Sequence, residues 1–304
     1  MDPPPARRLA AALAGLPGSV PGRLDRLHAL GFAAVQLDAA AAGMRPRELG
    51  PTARRDLLAR LRRRSLRPVG LDLWIPAMHL REPSTVDRAS DAMHATIALA
   101  ADLGRLDVSV QFGRPAAANA GGSAAGSSPG TTPPAGTRTA APGGIVSIES
   151  LIISPDGGAG PPDSADASDA SRPAPGAEQS PVVDGIRDAA EHHGVRLVDY
   201  TVGAASINGS GIGIDPVAWL SAGRSPIEGV LAAGPALAAV RVADLDASGM
   251  RVPPGTADGH LDFAEFVAVL DHGPEVATVV DPRQWVDPWG GLERAAEAWR
   301  ACGR

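Results

Sequence analysis

The sequence predicts an α/β protein, a (β/α)8 TIM barrel with disordered Ala/Gly/Ser/Pro-rich insertions. Three observations support this. Short apolar runs rich in β-branched residues alternate with amphipathic helical segments through most of the 304 residues. This alternation is typical of a parallel sheet covered by helices. Without its low-complexity stretches, the chain also approaches the ~250 residues of a closed eight-unit barrel. A doubly wound open sheet is the alternative.

The first half of the chain supplies four predicted strands and three predicted helices. The first helix ends at Gly31, because glycine commonly stops a helix, and Ser84 or Thr85 caps the third. The predicted strands span 7–14, 33–39, 67–74 and 106–113, and the predicted helices span 21–31, 50–66 and 84–104.

The same rhythm resumes in the second half, where apolar runs again precede helical segments. The predicted strands span 195–201, 211–215, 237–245 and 275–281, and the predicted helices span 182–194, 216–223, 226–234, 261–273 and 290–302. With eight strands in total, the whole chain, 1–304, is expected to form a single barrel.

Two stretches interrupt this pattern after the fourth strand. Residues 114–144 are nearly all Ala, Gly, Ser, Thr and Pro, and residues 154–180 repeat that composition with acidic residues added. Neither stretch can bury enough apolar surface to offset the entropy lost on ordering. Both are therefore predicted to be flexible insertions. The segment 145–153 between them is rich in β-branched residues and is predicted to be a short strand or an apolar patch prone to association.

The bulk composition excludes several classes of function. The net charge is −6 and the basic residues are spread along the chain, which argues against nucleic-acid binding. No apolar run approaches the ~18 residues of a membrane helix, so no membrane partner is expected. The single cysteine, Cys302, allows no intrachain disulfide, and we expect a cytoplasmic protein.

Polar residues stand at the carboxyl ends of seven predicted strands. In a barrel these ends meet at one face, where function resides. We therefore expect one polar pocket that opens in one direction. The residues are Asp38, Asp72, Gln111, Asp199 with Tyr200, Asp215, Asp244 and Asp281.

Several whole strand–helix units resemble one known family. The segments are "RLDRLHALGFAAVQLD", "IALAADLGRLDVSVQFG", "AAVRVADLD", "GTADGHLDFAEFVAVLDHG" and "EVATVVDPRQWVDP". They resemble sugar phosphate isomerase/epimerase proteins, the xylose isomerase-like TIM barrels. The resemblance implies a small sugar-like ligand and one divalent metal, Mn, Mg, Co or Zn. Glutamate, aspartate, histidine and glutamate at the ends of strands five to eight would hold the metal.

Carried over residue by residue, the resemblance implies a degenerate metal site. Tyr200 stands where the first glutamate belongs; Asp199 beside it points to the other face of the strand. Asp215 retains the aspartate, Arg241 replaces the histidine, and Asp281 is a shorter acid in place of the second glutamate. Asp215 and Asp281 are thus the remaining candidate metal ligands. The candidate catalytic residues are Asp215, Asp281, Arg241 and Tyr200.

Arg241 lies inside an apolar strand, where an unpaired charge is costly. Arginine is permanently charged and cannot coordinate a cation. Placed beside Asp215 and Asp281, its guanidinium would occupy the electrostatic position of the metal. We therefore hypothesise an internal ion-pair network in place of the metal, which requires Arg241 to point into the barrel and not outward to the helices.

Other polar and aromatic residues near the strand ends are candidates for binding substrate. Trp74 and His79 share the loop after the third strand, and an indole ring can stack on a sugar ring. Gln111 ends the fourth strand, whereas Asp244 and His260 belong to the segment after the seventh.

Three functions remain open from the sequence. The first is an isomerase or epimerase of small sugars, or a lyase relative, that is divergent in its metal site. The second is a catalytically inactive barrel that binds a ligand or acts as a scaffold. In the third, Arg241 anchors an anionic substrate such as a sugar acid or a phosphate.

Overall fold

Alternating strands and helices form the fold in the computed structural model, which describes residues 9–113, 180–204, 206 and 209–302. The strands are β1 (Leu9–Ala12), β2 (Ala34–Asp38), β3 (Arg67–Asp72), β4 (Val108–Val110), β5 (Leu197–Asp199), β6 (Gly211–Ile214), β7 (Leu237–Val242), β8 (Asp244–Leu245), β9 (Arg251–Val252) and β10 (Ala277–Val280). The helices are α1 (Val20–Ala29), α2 (Pro51–Arg63), α3 (Val86–Asp102), α4 (Pro181–His193), α5 (Pro216–Ser221), α6 (Pro226–Ala233), α7 (Phe263–His272) and α8 (Pro288–Cys302). In the part of this chain that is described, no helix is long and apolar enough to cross a membrane.

Eight of the strands close into a parallel barrel, in the order β1-β10-β7-β6-β5-β4-β3-β2. The barrel closes where Leu9 pairs with Thr278 and Ala11 pairs with Val280. The predicted (β/α)8 TIM barrel is therefore confirmed, and the open-sheet alternative is wrong.

The predicted insertions 114–144 and 154–180, with segment 145–153 between them, lie outside the described residues apart from Ser180. Ser180 is the N-cap residue of α4.

Apolar residues fill the space between the outer faces of the strands and the surrounding helices. Leu24 and Leu27 of α1, Ile97 of α3 and Phe266 of α7 are fully buried in this main core. Burial of such side chains contributes about 1.5–3 kcal/mol each, which explains why a helix with one apolar stripe follows nearly every strand.

Small residues line much of the interior of the barrel. Ala10, Ala12 and Ala34 pack with Val279 in one interior cluster, while Tyr200 packs with Val198, Ala238 and Ala239 in another. Gly213 makes room for the Tyr200 ring, because a Cβ atom at this position would lie 2.7 Å from it. The interior is thus a packed core, and the Tyr200 ring fills it at the carboxyl end of β5.

The segment after β7 departs from the predicted pattern. One strand was expected over 237–245, but β7 ends at Val242 and the chain then forms the antiparallel hairpin of β8 and β9. Asp244 pairs with Val252 and Leu245 pairs with Arg251. An isolated bridge from Asp246 to Gly259 extends the hairpin toward α7. This hairpin lies at the carboxyl end of the barrel, where the functional site of such folds is found.

Candidate functional site

Three aspartates come together at the carboxyl end of the barrel. Asp72 is the last residue of β3, Asp281 directly follows β10, and Asp215 follows β6 as the N-cap of α5. All three are buried. Because parallel strands end on the same side of a barrel, residues far apart in sequence meet here. Buried carboxylates require cationic or hydrogen-bonding partners, so the composition of their surroundings decides what the site can do.

Arg241 of β7 points into the barrel and contacts all three aspartates. Its Nη2 donates to Asp72 Oδ1 at 2.8 Å, and its Nη1 donates to Asp215 Oδ2 at 3.3 Å. Its Nε lies 3.4 Å from Asp281 Oδ2. The side chain is only 3% exposed. One guanidinium is therefore the common partner of carboxylates from three separate strands, as the ion-pair hypothesis requires.

Two further arginines complete the charge balance. Arg251, on β9, donates from Nη1 to Asp215 Oδ2 at 3.1 Å and from Nη2 to Asp281 Oδ2 at 3.2 Å. Arg283 donates from Nε to Asp281 Oδ1 at 2.9 Å and from Nη1 to Asp72 Oδ2 at 3.1 Å. We call the six residues the Arg–Asp cluster: Asp72, Asp215, Arg241, Arg251, Asp281 and Arg283. It contains three positive and three negative charges.

Sequence reasoning missed Arg251 and Arg283 as site residues. Arg251 lies on a two-residue strand, which is too short to show any periodicity. The sequence nonetheless contained a signal that could have identified Arg283 as a site residue. Three buried carboxylates and one arginine leave two uncompensated negative charges, so further cations were required nearby. The "DPR" step after β10 places one of them two residues from Asp281.

The charges of the cluster shift the pKa values of Asp215, Arg241 and Asp281. Burial alone would raise the pKa of Asp281, but the charges of Arg283, Arg241 and Arg251 outweigh it and hold this pKa well below its usual range. Burial likewise opposes the ionised form of Asp215, yet Arg251 and Arg241 lower its pKa. The pKa of Arg241 is raised because the three carboxylates outweigh its desolvation. These shifts keep Asp215, Asp281 and Arg241 ionised near neutral pH.

Tyr200 lies beside the cluster with its ring against Arg241. The guanidinium carbon is 4.1 Å from the centre of the ring, within the range of a cation–π contact. Burial raises the pKa of Tyr200 to about 12, although the charge of Arg241 partly offsets this. Its hydroxyl is buried beside the Ser109 side chain, which also lowers this pKa, although the contact between them is not a well-aligned hydrogen bond. Tyr200 is therefore a neutral hydroxyl at physiological pH, which can donate a hydrogen bond but cannot serve as a base.

The shifted pKa of Tyr200 can be measured directly, because it is the only tyrosine in the chain. We expect the folded protein to show a single tyrosinate transition near pH 12, whereas the denatured chain should titrate near pH 10. The measurement is near-ultraviolet absorbance against pH, with and without denaturant. A folded-state transition at the denatured-state pH would contradict the buried placement of the ring.

Trp74 marks the entrance to the cluster. Its side chain is 53% exposed, and the guanidinium carbon of Arg283 lies 5.0 Å from the centre of its ring. Trp74, Gln111, Tyr200 and Arg241 line a narrow cleft with about 10 Å³ of space for the centres of water molecules. This is room for about one water. The candidate residues Trp74 and Gln111 thus adjoin the cluster. A sugar-sized ligand is much larger than this cleft, so it would have to displace side chains that line it.

The other candidate binding residues lie outside this cleft. His79 lies on a short 3-10 helix, Ala77–Leu80, and its carbonyl accepts a hydrogen bond from the Thr85 hydroxyl. Thr85 is the N-cap residue of α3, one of the two predicted, but its side chain makes no capping hydrogen bond. His260 is exposed, and its backbone amide donates to Asp244. Neither histidine is among the residues that line the cleft.

Two strand-end aspartates hold loops in place. Asp244 Oδ1 accepts the amides of Leu245 at 2.7 Å, His260 at 3.1 Å and Leu261 at 2.8 Å. It therefore braces the base of the hairpin that carries Arg251. Asp199 Oδ1 accepts the amide and the hydroxyl of Thr201, at 2.9 and 2.7 Å. Both carboxylates are thereby occupied with protein groups.

The residues at this position do not fit a divalent metal. Within the described ranges, no three His, Cys, Asp or Glu side chains form a group that could hold a metal ion. Asp215 and Asp281 each bind at least two guanidinium groups, and Arg241 lies between them. A metal here would face the positive charges of three arginines and would have to break several charge-assisted hydrogen bonds.

Comparisons with solved structures agree with the barrel fold described above. No protein-family model and no curated protein matches this chain. Solved structures match over nearly the whole length. One is a xylose isomerase domain protein from Planctomyces limnophilus, with a TM-score of 0.62 and 12% identity, covering 99% of this chain and 98% of that chain. A probable 3-DHS dehydratase from Bacillus anthracis gives 0.62 and 10% identity, covering 96% and 98%.

A third similar structure is D-psicose 3-epimerase with D-tagatose from Clostridium cellulolyticum H10. Its TM-score is 0.59 at 12% identity, and the match covers 98% of each chain. At identities of 10–12% the likeness concerns the fold. It confirms that the chain has the barrel fold of the xylose isomerase-like proteins.

Proposed function

We propose that this chain is a divergent member of the sugar phosphate isomerase/epimerase family that binds a small sugar-like ligand without a metal and does not isomerise it. The observation that carries the proposal is the position of Arg241. Its guanidinium contacts Asp72, Asp215 and Asp281, where the family resemblance implies a cation held by carboxylates. The polypeptide itself supplies the positive charge.

The ionisation states of the described cluster carboxylates and of Tyr200 support the non-catalytic part of the proposal. General base catalysis is most efficient when the pKa of the base lies near the working pH. The pKa values of Asp215 and Asp281 are lowered, so both are weak bases. Tyr200, with a pKa of about 12, stays protonated. The candidate histidines, His79 and His260, do not line the cleft.

The fold and the entrance support the choice of a sugar-like ligand. The similar structures include D-psicose 3-epimerase with D-tagatose and an L-ribulose 3-epimerase. The exposed ring of Trp74 offers an apolar face of the kind that stacks on a sugar, and Gln111 offers hydrogen bonds beside it. An anionic substrate anchored by Arg241 is less well supported, because all three guanidiniums of the cluster are already matched by carboxylates.

Metal titration combined with isotope exchange tests this proposal. The purified protein is assayed for bound metal and titrated calorimetrically with Mn²⁺, Mg²⁺, Co²⁺ and Zn²⁺. It is then incubated with D-tagatose or D-fructose in deuterated water, with and without each metal. We expect no stoichiometric tight binding and no exchange of carbon-bound protons. Tight binding of one metal ion together with metal-dependent exchange would overturn the proposal and establish a metal-dependent isomerase or epimerase.

A further inference from the structure

The six charges of the Arg–Asp cluster differ in how firmly the fold holds them. The three aspartates and Arg241 lie on barrel strands or directly after them. Arg283 is equally fixed: its backbone amide and its guanidinium both contact Asp281. The loop after β1 packs closely on it, since a Cβ atom at Gly15 would lie 2.8 Å from the Arg283 Cα. These five groups together carry a net charge of −1.

Arg251 supplies the sixth charge from a different kind of element. It lies on the hairpin of β8 and β9, in which each strand has only two residues. The turn of this hairpin is exposed, and Met250, next to Arg251, is 52% exposed. Asp244 braces the base of the hairpin. The guanidinium of Arg251, whose side chain is only 12% exposed, therefore reaches the barrel from a two-stranded element whose turn faces solvent.

We propose that Asp215 and Asp281 form a cation-binding subsite that Arg251 closes in this structure, and that the ligand of this barrel carries a primary ammonium or guanidinium group that takes the place of the Arg251 head group. This inference rests on the proposed function, because it specifies the class of ligand at the same entrance. The preferred ligand would accordingly be an amino-substituted sugar or a molecule of similar size, not a neutral sugar.

Charge balance selects a monocation over other ligands. Asp281 and Asp215 have side chains only 1% and 6% exposed. Displacing Arg251 with a neutral group would leave a net charge of −1 among buried carboxylates, which is strongly unfavourable. An anionic group would add to the imbalance. An ammonium or guanidinium group restores neutrality and can donate hydrogen bonds to both carboxylates, as Arg251 does now.

A second, independent feature points to a ligand here. The buried hydroxyl of Tyr200 lies beside the Ser109 side chain without a well-aligned hydrogen bond to it, and Tyr200 lines the cleft together with Asp72 and Arg241. A phenol hydroxyl can both donate and accept, so beside Ser109 it can still take a polar group of a ligand or a water. Trp74 exposes an aromatic face at the same entrance. An amino-sugar could use the carboxylates for its ammonium, Tyr200 for a hydroxyl and Trp74 for its ring.

Chemical rescue tests the subsite itself. The variant Arg251→Ala removes the resident cation, and Arg64→Ala, which breaks a surface pair with Asp25, is the matched control. We expect Arg251→Ala to lower the Tm by about 5 °C or more. Methylguanidinium or methylammonium chloride should then raise the Tm of Arg251→Ala saturably. The same salts should not raise the Tm of the wild type or of Arg64→Ala.

The inference is overturned if Arg251→Ala keeps the wild-type Tm, or if the added cations change its Tm no differently from the control. If Arg251→Ala does not fold, Arg251→Gln, which retains most of the side-chain length, is tested in the same way. The wild type gives a further measurement. Glucosamine, but not glucose, should bind in calorimetry and increase amide hydrogen exchange at residues 246–250.

If both sugars behave alike in the wild type, the assignment of a cationic ligand is wrong. These results are separate from those that test the proposed function. Metal-dependent isotope exchange would refute the proposed function even if methylguanidinium restored the stability of Arg251→Ala. Conversely, a metal-free and inactive protein that shows no rescue would refute only the cation-binding subsite.

Discussion

Replacing Arg241 with methionine is expected to lower the free energy of unfolding by about 3–5 kcal/mol. The substitution keeps much of the side-chain volume but removes the charge that contacts Asp72, Asp215 and Asp281. It leaves three buried carboxylates with two arginines, and an uncompensated buried charge costs far more than a lost surface pair. Urea denaturation of the variant and the wild type at neutral pH measures the difference.

Two further variants show whether charge balance causes this loss. Arg64→Met removes an arginine whose partner, Asp25, is well exposed, so it should cost less than about 1 kcal/mol. The double variant Arg241→Met/Asp72→Asn restores equal numbers of positive and negative charges, and should recover part of the stability lost in Arg241→Met. An Arg241→Met protein as stable as Arg64→Met would show that the cluster contributes little to the fold.

Acid is expected to destabilise the protein through the same carboxylates. The folded-state pKa values of Asp215 and Asp281 lie below that of an unfolded aspartate, which is about 3.9. Their contribution to stability is therefore fully present above about pH 5 and is lost progressively as the pH falls through and below 4. Each unit by which a pKa is lowered corresponds to about 1.4 kcal/mol. Asp38 and Asp244, whose pKa values burial raises, act in the opposite sense.

Urea denaturation at a series of pH values between 7 and about 3 measures this dependence. Comparison with Arg241→Met separates the cluster from the other carboxylates, because loss of Arg241 removes part of the charge that lowers the two pKa values. The variant should therefore lose less stability on acidification than the wild type. Equal pH dependence in the two proteins would mean that these carboxylates are not coupled to Arg241.

The fold was largely predictable because it rests on local patterns. Each barrel strand is a short apolar run, and most are followed by a helix with one apolar stripe, so both periodicities were visible in the sequence. The inward direction of Arg241 was also within reach, since an unpaired charge on the outer face of β7 would be buried among apolar helices. The ends of the elements agree with prediction to within a few residues in most cases.

The parts of the site that escaped prediction depend on tertiary contacts. The hairpin of β8 and β9 has two residues in each strand and therefore carries no periodic signal. Asp244 was expected to face a ligand, but its carboxylate accepts three backbone amides from two separated segments. No local pattern distinguishes an aspartate that braces a loop from one that meets a substrate. Asp199 and Asp215 illustrate the same point, because the first binds Thr201 and the second binds arginines.

The placement of Arg241 also has a consequence for where this barrel can work. A cation that belongs to the polypeptide is present in every folded molecule, at a stoichiometry that neither chelators nor scarcity can change. In the metal-free function proposed above, the centre of the barrel is assembled as soon as the chain folds, with no loading step and no dependence on the supply of trace elements. The protein should remain folded under metal starvation and in buffers that contain EDTA.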